Sequence, residues 1–114
     1  MFSVHSSGTN LIRTTTVGGQ PLQIKTGHGY YRPHTGPGGK VTDLQLSGLT
    51  VDEIKTAIAA DVEAFLLSGG ILPVPGSGFT GPLRRTLAVG GIMIEYRAVE
   101  SPEGYLDVPT YYQF

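Results

Sequence analysis

The chain has 114 residues, 39% of them hydrophobic, and a net charge of −1, which suffices for one compact domain but not comfortably for two separate cores. Seventeen glycines and eight prolines between recurring apolar runs describe a turn-rich globular fold, and the absence of cysteine excludes disulfides, cysteine-based zinc sites and a thiol nucleophile. No apolar run approaches the roughly 18 residues of a membrane span and no signal-peptide pattern opens the segment, so neither membrane insertion nor a cleavable leader is expected here.

Residues 1–26 read as an N-terminal β segment. Within it, residues 10–26 hold two β-leaning runs separated by Gly18-Gly19, suited to a hairpin or two short strands. Residues 27–42 follow as a Gly-rich loop with no apolar period. This loop differs from a plain linker in its chemistry, since it contains two histidines, two tyrosines, an arginine and a lysine.

A helix is predicted over residues 50–68. Thr50 and Glu53 have the spacing of a capping box, with Leu49 and Ile54 positioned as a hydrophobic staple. Ile54, Ala57, Ile58, Val62, Phe65 and Leu66 fall on one face, while Asp52, Lys55, Thr56, Ala59 and Glu63 fall largely on the other. Gly69 and Gly70 end the pattern, and an irregular connection is expected over residues 69–82.

Residues 83–114 read as three strands of an antiparallel meander, broken at Gly90-Gly91 and at Ser101-Pro102-Glu103-Gly104. Ile92, Ile94, Tyr96 and Ala98 alternate with Met93, Glu95, Arg97 and Val99, which implies one face on a core and one partly solvated. Pro109 cannot donate to a ladder, so an edge or a bulge is expected there. Strict alternation would group Leu106, Val108, Thr110 and Tyr112 on one face, and sequence leaves open whether that face is core or site. The whole is an α+β domain, with the helix packed on the C-terminal antiparallel sheet.

Charge is uneven along the chain. Residues 1–42 contain Arg13, Lys25, Arg32 and Lys40 and no acid, whereas residues 43–114 contain four bases and all nine acids. His5, His28 and His34 also lie in the basic part, whose potential favours an anion and increases as pH falls. A net charge near zero argues against a protein that wraps nucleic acid through a broad basic surface.

His28 and His34 flank Arg32 in the loop, with Thr35 adjacent and Lys25 and Lys40 near in sequence. RNA cleavage without a metal needs a base for the 2′-hydroxyl proton, an acid for the departing 5′-oxygen, and cations for the charge on the phosphorane. Tyr30 and Tyr31 offer faces on which a splayed base can stack. The same residues admit plainer assignments: histidines on an ordinary surface loop, and tyrosines that pack. Zinc would need a third ligand that the pattern does not supply. Arg84 and Arg85 point to opposite faces of a strand, so only one can join a given site. Arg97, two residues from Glu95, is positioned either for a phosphate contact or for a surface ion pair.

The order GHGYYRPH, then LTVDEIKTAI, then GGIMIEYRAVESPEGYLDVPTYYQF resembles the ribonuclease toxin domains of the barnase, EndoU, colicin and RelE-like superfamily over residues 27–114. The resemblance implies a catalytic loop containing His28, Arg32 and His34, completed by Thr110 and Tyr112 on the closing strand. Lys25, Tyr30, Tyr31, Lys40 and Arg97 would then contact substrate. Pro33 separates Arg32 from His34 where many relatives have them adjacent, which rotates one side chain relative to the other. No cofactor is implied. The implied partners are an RNA substrate, tRNA among the candidates, and a cognate immunity protein with an acidic surface. The implied place of action is the cytoplasm of a target cell reached by a secreted or delivered effector. Two other functions fit the same residues: a non-catalytic binding module such as an immunity protein, and an ADP-ribosyltransferase using a His and Tyr pair with Glu95 or Glu103.

Overall fold

The computed structural model describes residues 3–7, 10–17, 20–25, 29–76, 78 and 80–113. The β-leaning runs of the first third form β2 (Asn10–Val17) and β3 (Gln20–Lys25), paired antiparallel as the Gly-Gly break predicts. A further strand, β1 (Ser3–Ser7), precedes them and pairs with β2. The Gly-rich loop is more ordered than its composition suggests. Its β4 (His34–Thr35) and β5 (Val41–Thr42) form a short antiparallel ladder around a turn in which Gly38 and Gly39 have φ of 74° and 79°.

The helix α1 (Val51–Leu67) starts where its cap specifies. The Thr50 hydroxyl accepts from the Glu53 N–H at 3.1 Å, and the Glu53 carboxylate accepts from the Thr50 N–H at 2.8 Å. The backbone and side-chain hydrogen bonds with Thr50 hold the Glu53 pKa below its ordinary value. Ile54, Ile58 and Val62 are buried as the periodicity predicts, each contributing about 1.5–3 kcal/mol by leaving water.

Two residues assigned to the solvent face lie elsewhere. Ala59 packs partly buried against the core, and Lys55 is fully buried. An ammonium in such surroundings must be hydrogen-bonded, and Lys55 Nζ donates to the Ile24 carbonyl at 2.7 Å. Helical spacing could not reveal this, because the acceptor belongs to a strand remote in sequence.

The last third forms the expected meander of β6 (Leu83–Val89), β7 (Ile92–Glu100) and β8 (Leu106–Gln113). Gly90 and Gly91 have φ of 55° and 81°, the left-handed pair that a two-residue hairpin needs. These three strands are antiparallel as expected, and the N-terminal strands join them in one mixed sheet. Its order is β1-β2-β3-β8-β7-β6, with β3 and β8 running parallel in the register Leu22↔Leu106 and Ile24↔Val108. Parallel pairing of remote segments leaves no local trace, since both strands keep their ordinary apolar alternation.

α1 covers one face of this sheet, and Leu22, Ile24, Ile94, Tyr96, Ala98, Leu106, Val108 and Tyr111 meet it in a single core. At the rim of that face, the Tyr96 hydroxyl donates to Asp61 Oδ2 at 2.6 Å and Arg85 Nε donates to the same oxygen at 2.8 Å. Burial raises the Asp61 pKa, but the bonds from Arg85 and Tyr96 and the guanidinium charge outweigh it, so the carboxyl lies below its usual range. Leu72 of the irregular connection is also buried in the core, and the Pro73 carbonyl accepts from the Glu100 N–H at 2.9 Å. None of the helices described is long and apolar enough to cross a membrane.

Candidate active site

The other face of the sheet is shaped by a β-bulge. Arg97 pairs with Thr110 and Val99 with Asp107, so Ala98 alone stands opposite both Val108 and Pro109. Pro109, which has no N–H to contribute, occupies the expected irregularity. The extra residue reverses the parity of β8: Leu106 and Val108 face the core, and after the bulge Tyr111 does so in place of Thr110. Thr110 and Tyr112 are thereby turned to the face opposite α1, the choice that the sequence left open.

The cross-strand register organises that face into rows. Thr110, Arg97 and Arg84 form one row across β8, β7 and β6, and Tyr112, Glu95 and Thr86 form the next. The Arg97 Nε is buried without a hydrogen-bond partner among the described residues. The Tyr112 hydroxyl donates a short hydrogen bond to Glu95 Oε2. Burial, and then this bond to Glu95, raise the Tyr112 pKa, while the nearby Arg97 guanidinium opposes the shift.

The loop from β3 to α1 closes over this floor. Its start packs against the core-facing ring of Tyr111, where Gly29 is needed because a Cβ would lie 2.3 Å from that ring, and the cleft lining begins at Arg32. The Tyr30 hydroxyl donates to the Leu49 carbonyl at 2.9 Å, and the Thr42 hydroxyl donates to the Gln113 carbonyl at 2.6 Å. With both ends secured, the His34 ring lies on that of Tyr112, with centroids 3.8 Å apart and planes within 13°. The result is a cleft of about 600 Å³ lined by Arg32, Pro33, His34, Thr35, Arg97, Pro109, Thr110, Tyr111 and Tyr112.

Five residues singled out in sequence therefore meet: Arg32 and His34 from the loop, Arg97 from β7, Thr110 and Tyr112 from β8. Pro33 does not prevent its two neighbours from lining the same cleft. Of the other candidates, Tyr30, Tyr31 and Lys40 lie outside the cleft lining. Tyr30 packs against the core and bonds to Leu49, while Tyr31 stands half-exposed in edge-to-face contact with it, the ring centroids 5.1 Å apart. Lys40 is exposed and is not part of the cleft lining. Lys25 ends β3, and His28 lies outside the described residues. Among the described residues, no group of three or more histidine and carboxylate side chains converges as a metal's ligand set would.

The sequence left open which of Arg84 and Arg85 joins the site, and it offered Glu95 only as an ion-pair neighbour of Arg97 or for the transferase alternative. The places of Arg84 and Glu95 were recoverable from the two-residue turn at Gly90-Gly91, which sets Val89 opposite Ile92 and hence Arg84 opposite Arg97 and Thr86 opposite Glu95. Arg85, on the alternate face, is committed to Asp61 and to the Phe65 ring, 4.8 Å from its guanidinium carbon. Chemically, the cleft offers guanidinium groups for an anion, an imidazole for proton transfer, and phenol and hydroxyl groups beside them. Comparison with protein-family models, with curated proteins and with solved structures finds no match to this chain.

Proposed function

We propose that the cleft cleaves RNA by metal-independent transphosphorylation, as part of a toxin-type nuclease domain. The observation that carries this reading is the meeting of Arg32 and His34 from the loop with Arg97, Thr110 and Tyr112 from the distant sheet strands around one cleft. In the reaction the RNA 2′-hydroxyl attacks the adjacent phosphorus. The O2′–P bond forms, the P–O5′ bond breaks, and the products are a 2′,3′-cyclic phosphate and a free 5′-hydroxyl. One group takes the 2′ proton and another supplies a proton to O5′.

His34 is one of these two groups. Its partner is His28 in the reading from the loop motif, and the Glu95 carboxylate beside Tyr112 is the alternative. Arg32 and Arg97 stabilise the charge that develops on the phosphorane, with Thr110 next to Arg97 contributing a hydroxyl. A cell producing such an activity needs an inhibitor, and a cationic cleft suits an immunity protein with an acidic surface. The domain would act on RNA, tRNA among the candidates, in the cytoplasm of the cell that receives it.

Incubation with total RNA and with tRNA across pH 5–8, in the presence and absence of EDTA, tests the reading. Fragments ending in cyclic phosphate, formed equally well in EDTA, are expected. Intact RNA throughout that range, with any activating factor supplied, overturns it.

One observation favours a second reading. His34, Tyr112 and Glu95 are contiguous, as an ADP-ribosyltransferase using a His, Tyr and Glu set requires, whereas Glu103 lies in an exposed turn. That activity predicts consumption of NAD, which the ribonuclease reading does not.

A further inference from the structure

The row across the open sheet face extends beyond the cleft. Arg97 lines the cleft, and Arg84, directly opposite it on β6, is exposed and outside the lining. Like charges directly opposite on neighbouring strands destabilise a sheet. Two carboxylates share this face: Glu95, diagonal to Arg84 in register, accepts the Tyr112 hydroxyl, and Asp107 stands on β8 opposite Val99. Among the described residues, no side-chain hydrogen bond or ion pair engages Arg84. Arg85, its neighbour on the opposite face, is by contrast bound to Asp61. Two guanidinium groups side by side on one face, one with a buried Nε that lacks a partner among the described residues, make a site for two anionic groups at adjacent positions.

We infer that Arg84 forms a second phosphate subsite, which holds the phosphate next to the one engaged by Arg97, so that the ligand is a single-stranded polynucleotide that crosses from β8 over β7 to β6. The inference rests on the RNA-cleaving reading of the cleft. Neighbouring strands lie about 4.8 Å apart, so two arginines in one row present their charges in succession, as consecutive phosphates of a nucleotide chain do. A dinucleotide, with one internucleotide phosphate, would occupy the cleft alone. A longer strand would reach Arg84 as well.

The test compares a dinucleotide with an eight-residue oligouridine, both 2′-O-methylated to prevent cleavage, by fluorescence anisotropy with wild type, Arg84→Ala and Arg84→Lys. Arg84→Ala is expected to weaken octamer binding roughly tenfold at low salt, to reduce the slope of log K against log salt by about 0.7, and to leave dinucleotide binding unchanged. Arg84→Lys should recover most of the octamer affinity, because it restores the charge. If wild type holds the octamer no tighter than the dinucleotide, or Arg84→Ala weakens both equally, the subsite is overturned. Length-dependent, Arg84-sensitive binding by a protein that leaves unmodified RNA intact supports the subsite while refuting the cleavage reading, so the two can fail separately.

Discussion

The imidazole of His34 lies flat on the phenol ring of Tyr112, with centroids 3.8 Å apart. The contact joins the Gly-rich loop to the last strand and orients the one described histidine of the cleft. Removing the imidazole should therefore affect chemistry more than stability. His34→Ala is expected to lower the RNA-cleavage rate by about 10²–10⁴ while the far-ultraviolet spectrum stays unchanged. His34→Phe retains the stack without a proton carrier and should be equally inactive. Cleavage within threefold of wild type in either variant removes His34 from the mechanism.

The Tyr112 phenol should titrate above its ordinary value because it is desolvated and donates to Glu95, with Arg97 opposing. In Glu95→Gln the negative charge is gone and the Tyr112 pKa should fall towards 10, remaining above it because the burial persists. Titration of the tyrosine Cζ carbon by nuclear magnetic resonance reads this directly. An unchanged value in the variant would show that Glu95 has no hold on Tyr112.

Asp61 anchors the helix-covered face through Tyr96 and Arg85. Its folded-state pKa lies below the ordinary 3.8, so its contribution to stability is complete above that value and is lost as pH falls through the lowered one. Asp61→Asn should cost about 1–2 kcal/mol at neutral pH, a figure reduced for the partial exposure of the pair, and should flatten the acid limb of the stability curve. Tyr96 behaves in the opposite sense: burial first, and then the bond to Asp61, push its pKa well upward. Below pH 10 its contribution is complete, and it declines as pH rises through the folded value, so Tyr96→Phe should flatten the alkaline limb. Urea denaturation from pH 2.5 to 11 measures both limbs. Parallel curves for wild type and variants would contradict the assignment.

Gly29 and Gly36 make a controlled pair. A methyl group on Gly29 would collide with the fully buried Tyr111 ring, whereas one on Gly36 would be 3.6 Å from the Lys40 carbonyl, an ordinary contact. Gly29→Ala should cost about 1–3 kcal/mol and reduce cleavage by displacing the loop, and Gly36→Ala should stay within about 0.5 kcal/mol. Equal stability of the two variants in chemical denaturation would show that the loop does not rest on Tyr111.

Local chemistry was enough to read several features of this molecule from its sequence. The capping box of Thr50 and Glu53 set the start of α1, Gly90-Gly91 set the register of β6 on β7, and Pro109 marked a break in a ladder, because each acts through neighbours along the chain. The loop motif likewise drew notice to Arg32 and His34. Only the tertiary structure decided the rest. The burial of Lys55 depends on an acceptor in β3, and the parallel seam between β3 and β8 joins segments with no shared local pattern. Which face Thr110 and Tyr112 present depends on whether Ala98 is matched by one residue or two, since a single inserted residue reverses every side chain beyond it. Sequence proposed the residues of a site; the bulge and the closing loop bring five of them to one cleft.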